Sequence, residues 1–94
     1  MGEIKHIHND KKGAFTWRVD KKRLAEMTYV MAGEKKMIIE HTGVDESLKG
    51  QGIGKKLLET LVGYVREKGI KVVPLCPFAN ATFKKVTEWQ DVLA

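Results

Sequence analysis

The stretch HTGVDESLKGQGIGKKLLE, His41 to Glu59, sets glycines at alternate positions 50, 52 and 54 among lysines and then turns into an amphipathic pattern. Glycine opens backbone angles closed to other residues and lets amide N–H groups approach a ligand without a Cβ in the way. Ile53, Leu57, Leu58, Leu61, Val62 and Val65 follow at spacings of three and four, which predicts a helix with one apolar stripe. Gly69 ends it, and Arg66 and Lys68 stand in the last turn, where cations suit the helix dipole. A glycine loop opening a helix gathers unpaired N–H donors at the positive end of that dipole, so phosphate is its natural ligand. Lys49, Lys55 and Lys56 add positive charge around it. The competing structural reading is a turn that lets a strand and a helix pack closely.

Upstream, the chain reads as strands and short turns. EIKHIH, Glu3 to His8, is a short or bulged strand, and NDKKG is a turn. AFTWRV sets Phe15, Trp17 and Val19 on one face, and LAEMTYVMA sets Ala25, Met27, Tyr29 and Met31 on one face. GEKK closes another hairpin before KMIIEHTGV, a fourth strand ending near Val44. Met27, Met31 and Met37 read as core filler. Successive short turns imply an antiparallel meander.

Downstream, IKVVPLC is an apolar run of the kind a buried strand shows, bent or at an edge because of Pro74. Strand, helix, strand implies a right-handed crossover that pairs the fourth and fifth strands in parallel. Pro77 opens a second helix with Ala79, Phe83 and Val86 inward, and Trp89, Val92 and Leu93 pin the tail. The fold class expected is α+β: a four-strand antiparallel meander, a helix, a parallel fifth strand and a short C-terminal helix. Ninety-four residues suit one domain, 1–94.

Composition narrows the function classes. The chain is 43% apolar and 31% charged, ordinary for a globular protein and too apolar for intrinsic disorder. No run nears the ~20 apolar residues of a membrane span, and the N-terminus lacks a signal-peptide core, so a cytoplasmic location without membrane partners is expected. A formal charge of +5 favours anionic partners in general. The single cysteine, Cys76, excludes an internal disulfide. His6 and His8 alone make a poor metal site, and no metal is expected; they read as exposed strand histidines.

Two familiar phosphate loops fail on spacing. A Walker A loop ending at Gly54 and Lys55 needs glycine at position 49 and serine or threonine at 56, where the chain has lysine at both. A dinucleotide fingerprint starting at Gly50 or Gly52 meets Lys55 or Leu57 where its third glycine belongs.

Instead, Lys49-Gly50-Gln51-Gly52-Ile53-Gly54, between strand and helix, resembles the R/Q-x-x-G-x-G/A loop of the GNAT superfamily of acyl-CoA N-acyltransferases. HTGV before it and Cys-Pro-Phe-Ala after the next strand resemble the minimal single-domain members, and the likeness covers nearly the whole chain. Lys49 departs from the pattern, which has Arg or Gln there. The resemblance implies a GNAT-like mixed sheet and transfer of an acetyl group from acetyl-CoA to an amine, a small molecule or a protein lysine. It also implies that the loop, from Lys49 through Gln51 and Ile53 to Lys55, binds the pyrophosphate of coenzyme A. Thr42, Gly43, Val44, Cys76 and Asn80 would then line the pantetheine arm.

His41 and Cys76 are the candidate catalytic residues, since parallel pairing puts both near the carboxyl ends of neighbouring strands, where ligands of open α/β sheets bind. His41 is read as a base or as a backbone-bonded strand histidine, and Cys76 as an acyl-accepting thiol or a small buried apolar side chain. Asn80 either reaches the pantetheine amides or caps the short helix. Lys84 and Lys85 meet the 3′-phosphate or form a solvated face. So short a chain implies a shallow acceptor site or one completed by a partner. The other functional classes are a non-catalytic acyl-CoA-binding module and a basic nucleic-acid binder, the latter disfavoured unless Phe15 and Trp17 face outward.

Overall fold

The computed structural model describes residues 2–94. Strands β1 (Glu3–His8), β2 (Lys12–Val19), β3 (Lys22–Met31) and β4 (Lys36–Val44) form an antiparallel meander. A 3-10 turn (Glu46–Leu48) leads to helix α1 (Ile53–Lys68). Strand β5 (Lys71–Pro74) returns parallel to β4 and completes the sheet order β1-β2-β3-β4-β5. Helix α2 (Pro77–Lys85) and a 3-10 segment (Thr87–Val92) close the chain. Every strand and helix expected from the sequence is present.

One face of the sheet carries the core. Phe15, Met27, Met37, Ile39 and Val72 are fully buried beneath the apolar stripe of α1, contributed by Leu57, Leu58, Leu61, Val62 and Val65. Met31, expected as core filler, is only half-buried, and Trp17 lies on this inner side too, packed against the core rather than turned outward. Ala79 and Phe83 of α2 join the same core, as do Trp89 and Val92. Val86 is the residue on which α2 ends, and it is half-buried. Arg66 holds the tail to α1 through a two-pronged bond to Asp91, at 3.0 and 2.6 Å, and a third bond to the Glu88 carbonyl. No helix among the described residues is long and apolar enough to cross a membrane.

His6 corrects the expectation of two exposed strand histidines. Its ring lies flat against Phe15, with centroids 4.0 Å apart, and edge-on to Tyr64, while Nε2 meets the Tyr29 hydroxyl at 2.5 Å. Alternation along β1 explains this: Ile4 and His6 face the helix, whereas Ile7 points away and is 45% exposed. Burial, reinforced by the neighbouring His8, pushes the His6 pKa down to about 4, and burial raises Tyr29 to about 12. At neutral pH both groups are therefore uncharged, and the imidazole and the phenol share one neutral hydrogen bond. Among the described residues no group of three or more His, Cys, Asp or Glu side chains could hold a metal.

The irregularity that matters most for the site is in β4. Tyr29 pairs with Ile39 but Thr28 pairs with His41, so Glu40 is an extra residue, a β-bulge. Before it, Met37 and Ile39 point to the core; beyond it, Thr42 pairs with inward-facing Met27 and Val44 with Ala25. The side-chain parity of the strand has slipped by one.

Candidate active site

Strands β4 and β5 run side by side only as far as Ile39 and Pro74. There the Ile39 carbonyl accepts from the N–H groups of both Leu75 and Cys76, at 3.1 Å each, and the chain turns away into α2. The last residues of β4 therefore have no strand neighbour on their β5 side. A wedge-shaped gap opens at the carboxyl end of the parallel pair. Thr42 projects inward beside it, and the Cys76 thiol donates to Thr42 Oγ1 at 3.2 Å. Cys76 is buried, and it is the N-cap of α2, so Asn80 is not the capping residue. The Asn80 amide reaches back to the Pro74 carbonyl at 3.4 Å.

The glycine loop stands at the same end. Asp45 caps the 3-10 turn, accepting from the Ser47 N–H and hydroxyl; these bonds hold its carboxyl below the usual range. Gly50 and Gly52 then adopt φ of 81° and 72°, the left-handed region that side chains resist, and a Cβ at either would meet nothing within 4 Å. The space above the loop is open. Gly52 is the N-cap of α1 and offers no side-chain acceptor, and the first intrahelical bond runs from Lys56 N–H to the Gly52 carbonyl. The N–H groups of Ile53, Gly54 and Lys55 are the donors a helix start leaves over. Gly54 is needed for a different reason: a Cβ there would lie 2.7 Å from Cζ of Phe78.

A 220 Å³ cavity over this helix start is lined by Val44, Leu48, Lys49, Gly50, Gly52, Ile53, Gly54, Lys55 and Phe78. Of the residues expected to bind cofactor, it thus gathers Val44, Lys49, the three glycines, Ile53 and Lys55. Thr42 and Cys76 meet deeper in the gap. Gln51 is exposed, its amide on the Ser47 carbonyl at 3.4 Å, and Lys49 faces Glu46 at 3.7 Å. Lys56 points elsewhere, over the Trp17 ring. His41 and Gly43 occupy the outer side of β4, opposite Thr42, because of the bulge. The structure does not bring the imidazole to the thiol.

Two contributors were not foreseen. Phe78 walls the cavity; its position just after Pro77, in the first turn of a helix facing a glycine, was the available signal. The other is the bulge, readable in KMIIEHTGV as a change from odd to even apolar positions after Ile39.

Residues 14–92 match the family model described as GCN5-related N-acetyl-transferase. The chain belongs to the GNAT family. Among solved structures, a GCN5-like protein from Staphylococcus aureus, determined by NMR, is 37% identical over 98% of this chain and 87% of its own, with a TM-score of 0.73. The ribosomal-protein-alanine N-acetyltransferase of Brucella melitensis biovar Abortus 2308 shares the GNAT fold at 19% identity, over 83% of this chain and 62% of its own (TM-score 0.69). A GNAT acetyltransferase of Elizabethkingia anophelis, solved with acetyl-CoA bound, shares it at 15% identity, over 84% of this chain and 53% of its own (TM-score 0.63). The chain thus spans little more than half the length of some relatives. No curated protein matches in sequence.

Proposed function

We propose that this GNAT domain transfers an acetyl group from acetyl-CoA to an amine. The observation that carries the reading is the coincidence of three features at one end of the sheet: the gap between β4 and β5, the thiol at its apex and the open glycine loop at its mouth. In this reading the free N–H groups of α1 and Lys49 and Lys55 hold the diphosphate. The pantetheine arm runs along β4 from Val44 past Gly43 to Thr42, pairing with unpartnered backbone much as another strand would, with Asn80 on its other flank.

The cosubstrate supplies an activated thioester. His41, exposed on the outer side, takes a proton from the acceptor amine, so donor and acceptor approach β4 from opposite sides. The amine lone pair forms the new C–N bond as the C–S bond breaks, and coenzyme A leaves as its thiol. Cys76 on the inner side offers a second route, accepting the acetyl group as a thioester before the amine does.

Calorimetric titration of acetyl-CoA, paired with intact-protein mass spectrometry, tests this. Saturable binding is expected. A single acetyl adduct lost in Cys76→Ser would favour the covalent route, and binding without an adduct would leave direct attack if an amine is turned over and a non-catalytic binding module if none is. Absence of binding to the folded protein would reject the reading.

A further inference from the structure

We infer that the acceptor is a small zwitterion of the amino-acid class, held on the outer side of the sheet in a cavity lined by Glu40, Thr28, Ala14, Ile7, Arg23 and Lys12. This rests on the proposed acetyl transfer and names its substrate class.

On the side of the meander away from α1, the outward side chains of β1 to β4 stay half-buried or exposed, Thr16 excepted. The connection from β1 to β2 is only Asn9–Lys11, so nothing from that joint covers this face. A 480 Å³ cavity lies here, within the range of small-ligand sites. The bulge sets its position relative to the chemistry. Glu40 and His41 together oppose Thr28, so the carboxylate lining the cavity is chain neighbour to the proposed base, one residue beyond the point where β5 departs.

The chemistry of the lining is specific in three ways. Glu40 joins no ion pair among the described residues, whereas Glu26, Glu46 and Asp91 each have a cation partner. It is free to hold an ammonium. Arg23 and Lys12 line the same cavity and can take a carboxylate; only one guanidinium nitrogen of Arg23 is engaged, on Glu26 at 3.3 Å. Ile7, one of only three large apolar side chains strongly exposed among the described residues, lies at the β1 end of the row Ile7, Ala14, Thr28 that leads across the sheet to Glu40, and with Ala14 it forms an apolar floor. A free carboxylate and two cations lining the same cavity as an apolar floor match a molecule with an ammonium, a carboxylate and an apolar side chain. The reaction balances: the ammonium sheds two protons, one to solvent through His41 and one to the departing sulfur, as C–N replaces C–S.

The test uses the full chain with leucine, methionine and phenylalanine as probes, against leucinamide, isoamylamine and a lysine-containing peptide. Backbone NMR should show saturable shifts at Ile7, Ala14, Thr28 and Glu40 with the amino acids. With saturating acetyl-CoA, thiol release should favour leucine over leucinamide and isoamylamine at least tenfold in kcat/KM. Glu40→Gln should raise KM for leucine at least tenfold while acetyl-CoA affinity stays unchanged, and Arg23→Gln should erase the preference for leucine over leucinamide. Equal use of leucine and its uncharged analogues, turnover of the lysine peptide alone, or absence of shifts with all three amino acids would overturn the inference and leave the acetyl-transfer reading standing. Failure of acetyl-CoA itself to bind would overturn both.

Discussion

The Cys76 thiol and the Thr42 hydroxyl meet at 3.2 Å across the gap between two strands that have stopped pairing, joining the end of β4 to the start of α2. Serine at position 76 keeps a donor for Thr42 but is a poor acyl acceptor without an adjacent base. Cys76→Ser is therefore expected to fold and bind acetyl-CoA like the parent while forming no acetyl adduct. Turnover that survives undiminished would assign the reaction to direct attack, and loss of two or more orders of magnitude would assign it to the thiol.

Gly52 separates charge from shape. Asparagine and aspartate both tolerate the left-handed backbone, and a side chain at this position meets open space. Gly52→Asn should hold coenzyme A within a few-fold of the parent, whereas Gly52→Asp should weaken it more than about tenfold, a loss of ~1.4 kcal/mol or more, by setting a carboxylate against the diphosphate. Equal calorimetric affinities would reject the loop as the anion site.

Gly54 is constrained by its own protein. The methyl of Gly54→Ala would press on the Phe78 ring, an overpacking that costs about 1–3 kcal/mol. Phe78→Leu should relieve it, so urea denaturation of the two single variants and the double variant should show coupling rather than additivity. Strict additivity would mean the ring simply moves aside.

Stability should climb between pH 4 and 6.5. His6 has its pKa lowered to about 4 in the fold, so over this window the unfolded chain binds the extra proton and folding is favoured as pH rises. The contribution is complete above pH 6.5 and lost as pH falls toward 4. Because the imidazole is only half-buried, solvent screening limits it to ~1–2 kcal/mol. His6→Phe should flatten this part of the profile in urea midpoints, leaving the acid loss at lower pH from Asp45 and Asp91, whose carboxyls sit low through their bonds to Ser47 and Arg66. A variant profile parallel to the parent's would remove His6 as the cause.

Much of this architecture was legible because local signals agreed with one another. Alternation placed Phe15, Met27 and Tyr29, the period of 3.6 placed the α1 stripe, and Gly69 and Pro77 marked helix ends at the residues where they occur. The loop and its neighbours Val44, Lys49 and Lys55 were likewise readable, since contiguous residues at a helix start must share a site. The side of the strand on which His41 lies was not. Strand parity assigned from Ile39 onward is inverted by one inserted residue, and a bulge leaves only a faint trace in composition. His6 was misjudged because a polar ring with a tyrosine hydroxyl to bond can be buried where charge alone would predict exposure.

The bulge at Glu40 acts on β4 as a frameshift acts on a message. Upstream residues are spelled for the core and downstream residues for the gap, and a reading that counts Glu40 as an ordinary letter misplaces every one after it. Removing Glu40 would erase the bulge yet leave His41 opposite Thr28 on the outer side and Thr42 inward, whereas pulling the strand flat with Glu40 kept in the pleat would turn His41 inward and send Thr42 out to solvent.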